Sequence, residues 1–322
     1  IAGAHVPYGY FIFLVGSYLM GTSATLLQVV INPYVAAYEV KGTQPVQRMN
    51  IVCAFNSFGT TIAPFFVTGI MFGGLALEGI HIEQLMVPFL VLAAFIGLTA
   101  FITQRLYLPD VMHTKINRGE KLERSIWSFR HLKLGVVTIF FYVGAEVAIG
   151  VNVNLNAMEL ESTGQSLSFF GMQHLVVWGM NLGIPALLAT LYWGGLMVGR
   201  IVSSYLSHIS PRVQLTVTTL LATVFTLVAI ITNNLWLLVA VGLFHSVMWG
   251  CIFTLAITGL KKYTAKASGV FMMGVFGGAV FPFLQGVLAD TLGSWQWTWM
   301  LVVVCELVML WYALVGSRVK EA

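Results

Sequence analysis

Nine long apolar runs dominate this sequence, and each is about as long as a helix that crosses a lipid bilayer. An α-helix needs about 20 apolar residues to span a hydrocarbon core about 30 Å thick. The strands of a membrane β-barrel would instead show short segments of alternating hydrophobicity. We therefore predict an all-α, polytopic membrane protein. The predicted spans are residues 10–35, 50–72, 85–102, 134–153, 184–206, 213–231, 235–260, 269–288 and 297–315.

Composition excludes the soluble alternative. Of 322 residues, 58% are apolar and only 9% are charged, whereas soluble domains carry about 25% charged residues. A further apolar stretch at 169–180 is too short to span, and we expect it to lie at the membrane interface.

The 16 Lys and Arg residues define an orientation. They follow the first, third, fifth, seventh and ninth spans, whereas the loops at 73–84, 154–183, 232–234 and 290–296 contain none. Cytoplasmic loops are enriched in basic residues, so the C-terminus is predicted to be cytoplasmic and residue 1 to lie outside. On this interpretation Arg200, near the end of the fifth span, extends its stem to the inner surface. The net charge of +4 then reflects orientation and does not indicate a nucleic-acid partner.

A short internal repeat suggests two halves. The pattern FGxxxxPF occurs at 58–65 and again at 276–283, in spans six helices apart with the same orientation. Parallel six-helix halves are one known arrangement of transporters. We therefore predict an N-terminal helical half at 1–104, a cytoplasmic loop at 105–133 and a C-terminal half at 134–322, and we expect three helices to be missing from the front of this chain.

Two acids lie inside predicted spans, where a charge costs about 2.5 to 3.5 kcal/mol. Glu146 is midway through the fourth span, with Tyr142 one turn earlier on the same face. It is either a protonated acid bonded to a neighbouring helix or a ligand or proton site. Glu306, in the last span, has apolar neighbours, and we interpret it as a neutral structural acid paired to one neighbour.

Amide side chains cluster on the first two spans. Gln28 and Asn32 occupy successive turns of the first span, and Asn50 and Asn56 lie near the start of the second. Amides offer both donors and acceptors, which suits sugar hydroxyls, although a single buried amide more often joins helices.

A comparable polar face lies on the seventh span, where His245, Ser246 and Trp249 occur together. His245 alone is also compatible with a core histidine whose hydrogen bonds are satisfied. The sequence contains no HExxH, CxxC, Walker or GxSxG motif, so we predict no metal, no cofactor and no enzymatic activity.

Five groups of residues resemble the fucose, glucose and galactose proton-symporter family of the major facilitator superfamily, and they occur in the family's order. They are QVVINPY at 28–34, RMN at 48–50 with FNSFG at 55–59, YVGAEV at 142–147, IFTLAI at 252–257 with GL at 259–260 and Thr264, and GGA at 277–279 with Pro282 and LQG at 284–286.

The resemblance implies the major facilitator superfamily fold, with nine of its twelve transmembrane helices present. It places the spans of Gln28, Glu146 and His245 around a central cavity. Fucose carriers of the family have an acid where Gln28 stands and an amide where Glu146 stands, so Glu146 becomes the candidate for proton coupling. The family usually has Asn at the position of His245 and Pro at that of Gly250.

The predicted function is therefore symport of protons with a hexose-like sugar of the glucose, galactose and fucose class, by alternating access in a monomer of the bacterial inner membrane. Two alternatives remain, a major facilitator exporter of drugs or other small solutes and a membrane sugar sensor that does not transport. The predicted substrate-binding residues are Gln28, Asn32, Asn56, Tyr142, Glu146, His245 and Trp249.

Overall fold

The computed structural model describes residues 8–66, 86–109, 124–177, 180–206 and 208–319. This part of the chain is almost entirely helical, as predicted. Its α-helices are α1 Gly9–Ala37, α2 Pro45–Phe65, α3 Met86–Arg105, α4 Arg130–Ser162, α5 Ile184–Tyr205, α6 Pro211–Thr232, α7 Leu235–His245, α8 Met248–Ile257, α9 Thr264–Met273, α10 Gly277–Leu292 and α11 Met300–Trp311.

Eight helical segments within the described residues are long and apolar enough to cross a membrane. They correspond to all of the predicted spans except the second. That span, 50–72, overlaps α2, but it ends among residues 67–85, which lie outside the described residues. The chain is thus a multi-pass membrane protein.

Three features differ from the predicted spans. The helix α4 is 33 residues long, about 50 Å at 1.5 Å per residue, and extends beyond both limits of its predicted span. The seventh span is divided into α7 and α8, and the eighth into α9 and α10. The short apolar stretch ends in a β-hairpin, in which β1 His174–Val177 pairs antiparallel with β2 Met180–Gly183.

Local sequence explains several helix ends. Proline occupies the first turn of α2, α5 and α6, where its missing N–H is not needed. Ser210 caps α6 by accepting a hydrogen bond from the backbone N–H of Val213. Asn233, in the left-handed conformation, ends that helix, and the side chain of Asn234 caps α7.

The long helix α4 lies at the centre of the packing and contacts α5, α8, α9, α10 and α11. Its neighbour α5 also packs on α2, which joins the first helices of the chain to the rest. Glycine allows the closest of these approaches, because a Cβ at Gly277 of α10 would collide with the backbone carbonyl of Phe140 in α4. Small residues serve this purpose in membrane helix pairs generally.

We expect Gly277→Ala to destabilise the protein by about 1 to 3 kcal/mol, the usual cost of overpacking. The free energy of unfolding, measured by SDS titration in mixed micelles, would report the loss. Gly286→Ala in the same helix is the matched control, because a Cβ there meets nothing within 4 Å. Equal stability of the two variants would contradict the close approach of α10 to α4.

Candidate functional site

Glu146 lies at the centre of a buried polar cluster and is itself 8% exposed. Tyr142, one turn earlier, donates its hydroxyl to Glu146 Oε1 at 2.8 Å, so the two side chains share a face as predicted. The same hydroxyl lies 3.1 Å from the backbone carbonyl oxygen of His245. A carboxylate so placed needs a cation or a proton to offset its burial.

Arg200 of α5 supplies that cation, which corrects the interpretation that it extends to the inner surface. Its side chain is buried, and Nη2 lies 3.0 Å from Glu146 Oε1 in a salt bridge. Nε donates to the carbonyl oxygen of Ser246 at 3.0 Å, and Nη1 donates to the carbonyl oxygen of Cys53 at 3.0 Å and to Ser57 Oγ. The reason is chemical, because the planar guanidinium finds enough fixed acceptors here to remain charged away from water.

The break between α7 and α8 provides part of this site. Ser246 Oγ donates to the carbonyl oxygen of Leu243 at 2.6 Å, a type of side-chain bond that often bends membrane helices. The carbonyl groups of His245 and Ser246 accept hydrogen bonds from Tyr142 and Arg200. The backbone of Ser246 and Val247 stays in the right-handed helical region, so the segment bends here and continues into α8.

A second acid lies on the other side of His245. The His245 Nε2 atom is 3.4 Å from Glu306 Oε1, and both side chains are 0% exposed. Thr226 Oγ1 lies 3.1 Å from the same carboxylate oxygen. The other ring nitrogen of His245, Nδ1, is 2.9 Å from the Tyr192 hydroxyl. Glu306 therefore contacts more than the single neighbour that the sequence interpretation gave it, since Thr223 also lies beside its carboxylate.

Glycines flank Glu146, and the structure fills the space beside them with aromatic rings. A Cβ at Gly144 would collide with the Phe281 ring, and one at Gly150 would collide with the Trp193 indole. The space beside both glycines is thus used for side-chain packing between helices.

Comparison with known proteins assigns the family. No family model matches the chain. A glucose/galactose transporter of Brucella abortus is 32% identical over 315 residues, covering 96% of this chain and 72% of that protein. A putative glucose/galactose transporter of Helicobacter pylori is 33% identical over 330 residues, covering 98% of this chain and 75% of its own. The chain belongs to this glucose/galactose transporter family.

The fold is that of the major facilitator superfamily. The crystal structure of the major facilitator transporter FucP in the outward conformation matches with a TM-score of 0.76 at 22% identity, covering 96% of this chain and 77% of that one. The L-fucose-proton symporter of Escherichia coli is 24% identical over 336 residues. The predicted fold class is confirmed.

In this member of the glucose/galactose transporter family, four of the predicted site residues lie together. Tyr142, Glu146 and His245 are joined by the contacts given above. Trp249 is half-buried beside them, with its ring centroid 6.4 Å from that of Tyr142. These residues form one buried polar and aromatic cluster that extends from α4 to α8.

The predicted amides are elsewhere. Gln28 and Asn56 are exposed. Asn32 is buried and lies 3.6 Å from a methionine sulfur of α9. Asn50 donates to Ser203 Oγ at 2.8 Å, which joins α2 to α5. The structure therefore does not bring these amides into the cluster around Glu146.

The C-terminal part of α4 uses its amides to join helices. Asn152 Nδ2 donates to Gln285 Oε1 at 2.9 Å, and Gln285 Nε2 lies 3.1 Å from Thr298 Oγ1. Asn156 Oδ1 accepts a hydrogen bond from Trp299 Nε1 at 2.9 Å. Within the described residues, no group of three His, Cys, Asp or Glu side chains is placed to hold a metal ion.

Sequence analysis missed Arg200, Ser57 and Tyr192 as members of the cluster. Arg200 carried a usable signal, since it lies six residues inside the end of its predicted span and an arginine inside a span normally has a partner. Ser57 and Tyr192 carried no such signal, because serine and tyrosine are ordinary residues of membrane helices.

Proposed function

We propose that this protein is a secondary active transporter that takes up a hexose-like sugar together with protons by alternating access. The observation that carries the proposal is the buried Glu146–Arg200 ion pair, in a chain whose relatives are named glucose/galactose transporters and L-fucose-proton symporter. A carboxylate held at membrane depth beside a permanent cation can exist in both protonation states, which proton coupling requires.

Arg200 connects proton binding to movement in this mechanism. The Arg200 guanidinium contacts Glu146 on one side and the Cys53 carbonyl and Ser57 hydroxyl of α2 on the other. A proton on Glu146 removes the negative charge that attracts Arg200, and the guanidinium then relies on its neutral acceptors. We place α2 in one rocking half, residues 1–104, and Glu146 and Arg200 in the other, residues 134–322. The proton thus changes a contact that crosses between the halves.

In this proposal the sugar binds to the polar and aromatic cluster beside Glu146. Tyr142, His245 and Trp249 provide hydroxyl, imidazole and ring contacts, and stacking on an aromatic face suits the apolar side of a sugar ring. Gln28, Asn32 and Asn56, on α1 and α2, provide amide contacts from the other half.

The same proposal specifies the oligomeric state of the protein, its membrane and its orientation. The molecule works as a monomer in the inner membrane of a bacterium, with its C-terminus in the cytoplasm. The strict alternation of basic and non-basic loops supports this orientation, and the sources of the named relatives support a bacterial membrane.

Uptake by proteoliposomes tests the function directly. The full-length gene product would be reconstituted and given labelled glucose, galactose or fucose, with or without a pH gradient that is acidic outside. We expect sugar to accumulate above equilibrium only with the gradient, and a protonophore to reduce uptake to simple equilibration. Movement of drugs without sugars would favour an exporter, and saturable sugar binding without uptake would favour a sensor; either result contradicts the proposal.

A further inference from the structure

His245 and Glu306 form a buried acid and base pair that the coupling mechanism of Glu146 does not use. Both side chains are fully buried, and the Nε2 to Oε1 distance is 3.4 Å. Thr226 lies against the carboxylate and Tyr192 against the other ring nitrogen. The four side chains come from α6, α5, α7 and α11, so the pair is enclosed on several sides by helices of the C-terminal part of the chain.

The net charge of the His245 and Glu306 pair determines whether it binds a proton. With neutral His245 and ionised Glu306 the pair has a net charge of −1, and burial away from water makes that state costly. One added proton makes the pair neutral, as imidazolium with carboxylate or as imidazole with carboxylic acid. The geometry allows both forms, because each partner presents one atom to the other and neither is exposed.

Within the described residues, the charged groups near the pair do not offset its negative charge in place of that proton. Among the described residues, the titratable side chains around the pair are Tyr192 of α5, Tyr142 of α4 and Cys305 of α11. Hydroxyl and thiol groups of these types are ordinarily neutral near pH 7. The nearby cation, Arg200, is already bonded to Glu146. Thr226 contributes a hydroxyl that can donate to the carboxylate but carries no charge.

We propose that His245 and Glu306 form a second proton-binding site, distinct from Glu146. The proton comes from water and changes the pair from net −1 to neutral, with no other bond made or broken. The site is joined to the first one through Tyr142, whose hydroxyl oxygen lies 2.8 Å from Glu146 Oε1 and 3.1 Å from the backbone carbonyl oxygen of His245. The inference extends the proposed proton symport by a second site that affects its pH dependence.

Spectroscopy tests proton occupancy without any need for transport. Purified full-length protein labelled with ¹⁵N-histidine would be studied in lipid nanodiscs near neutral pH, with the His245 signal assigned from H245N. We expect either an imidazolium signal at His245 or an infrared band of a protonated carboxylic acid that disappears in E306Q. Neutral His245 together with ionised Glu306 overturns the proposal. Glu161→Gln, which alters an exposed acid at the end of α4, is the control for infrared changes that any Glu→Gln substitution produces.

Sugar exchange tests the effect on pH dependence. In an E146Q background the first acid is absent, so we expect equilibrium exchange to retain a dependence on pH. Adding E306Q should remove it, because an amide cannot share a proton with His245, and the limiting change of about tenfold per pH unit for one proton should become nearly flat. The replacement leaves no buried anion at the pair, which favours folding. Identical pH profiles with and without the pair would assign it a purely structural role and overturn the proposed effect. If the unsubstituted protein exchanges no sugar, the proposed function fails while the spectroscopic result still stands.

Discussion

Arg200→Met should destabilise the protein by about 3 to 5 kcal/mol, the usual cost of removing one partner from a buried ion pair. The substitution leaves the Glu146 carboxylate without its cation and removes the donors to Ser246, Cys53 and Ser57. SDS titration in mixed micelles would measure the free energy of unfolding, and uptake of labelled sugar should fall with it.

Two further variants make this expectation specific. Arg212→Met removes a half-buried arginine at the start of α6, whose Nε donates to Ser317 Oγ, and should cost about 1 kcal/mol, the usual net contribution of one hydrogen bond. Combining Arg200→Met with Glu146→Gln removes both charges and should restore most of the stability. If Arg200→Met is as stable as Arg212→Met, the ion pair does not contribute as described.

Glu146→Gln should abolish sugar accumulation driven by a pH gradient while exchange of sugar across the membrane continues. Gln keeps the shape of the side chain and an oxygen that can accept from Tyr142, but it cannot bind and release a proton. A gradient of one pH unit supplies about 1.4 kcal/mol per proton, which corresponds to about tenfold accumulation for one coupled proton. The variant should lose that factor.

Parallel assays of accumulation and exchange distinguish coupling from binding. Counterflow of labelled sugar into vesicles loaded with unlabelled sugar measures exchange without a gradient, and Glu161→Gln again provides the matched control. Loss of both activities in Glu146→Gln would mean that this carboxylate is needed to bind the sugar. Retention of accumulation would place the coupling acid elsewhere.

The number and position of the membrane helices could be predicted because the physical signal is local and strong. A run of about 20 apolar residues has few alternatives to a spanning helix, and eight of the nine predicted spans match helices that meet this requirement in the described residues. The division between α7 and α8 could not be predicted in the same way. It depends on a serine hydroxyl bond and on donors from two other helices.

The candidate site was predictable only one helix at a time. Glu146 was found because a charge in mid-span is costly, and Tyr142 because one helical turn separates the two. Arg200 is 54 positions from Glu146, and nothing local indicates that they meet. The positive-inside pattern also favoured the wrong environment for it, since an arginine six residues from a span's end fits a cytoplasmic border equally well.

The amides show a different limit of sequence reasoning. Gln28, Asn32 and Asn56 lie on two consecutive spans, and their shared chemistry suggested a shared site. Side chains on neighbouring helices converge only if both helices turn the same faces inward, and the sequence does not determine that rotation. Gln28 and Asn56 are exposed and Asn32 contacts a methionine, so their role in binding stays a prediction.

At the bend after His245 the site is held by backbone carbonyl oxygens, which are present whatever the side chains are. Tyr142 and Arg200 are fastened there to main-chain oxygens, and every amino acid supplies that atom. Replacing residue 245 therefore alters the group that faces Glu306 without removing an anchor of the Glu146–Arg200 pair. The surroundings of Glu306 can accordingly be changed without changing those of Glu146. Residue 245 is therefore a suitable position for altering the pH dependence of transport while the Glu146–Arg200 pair is preserved.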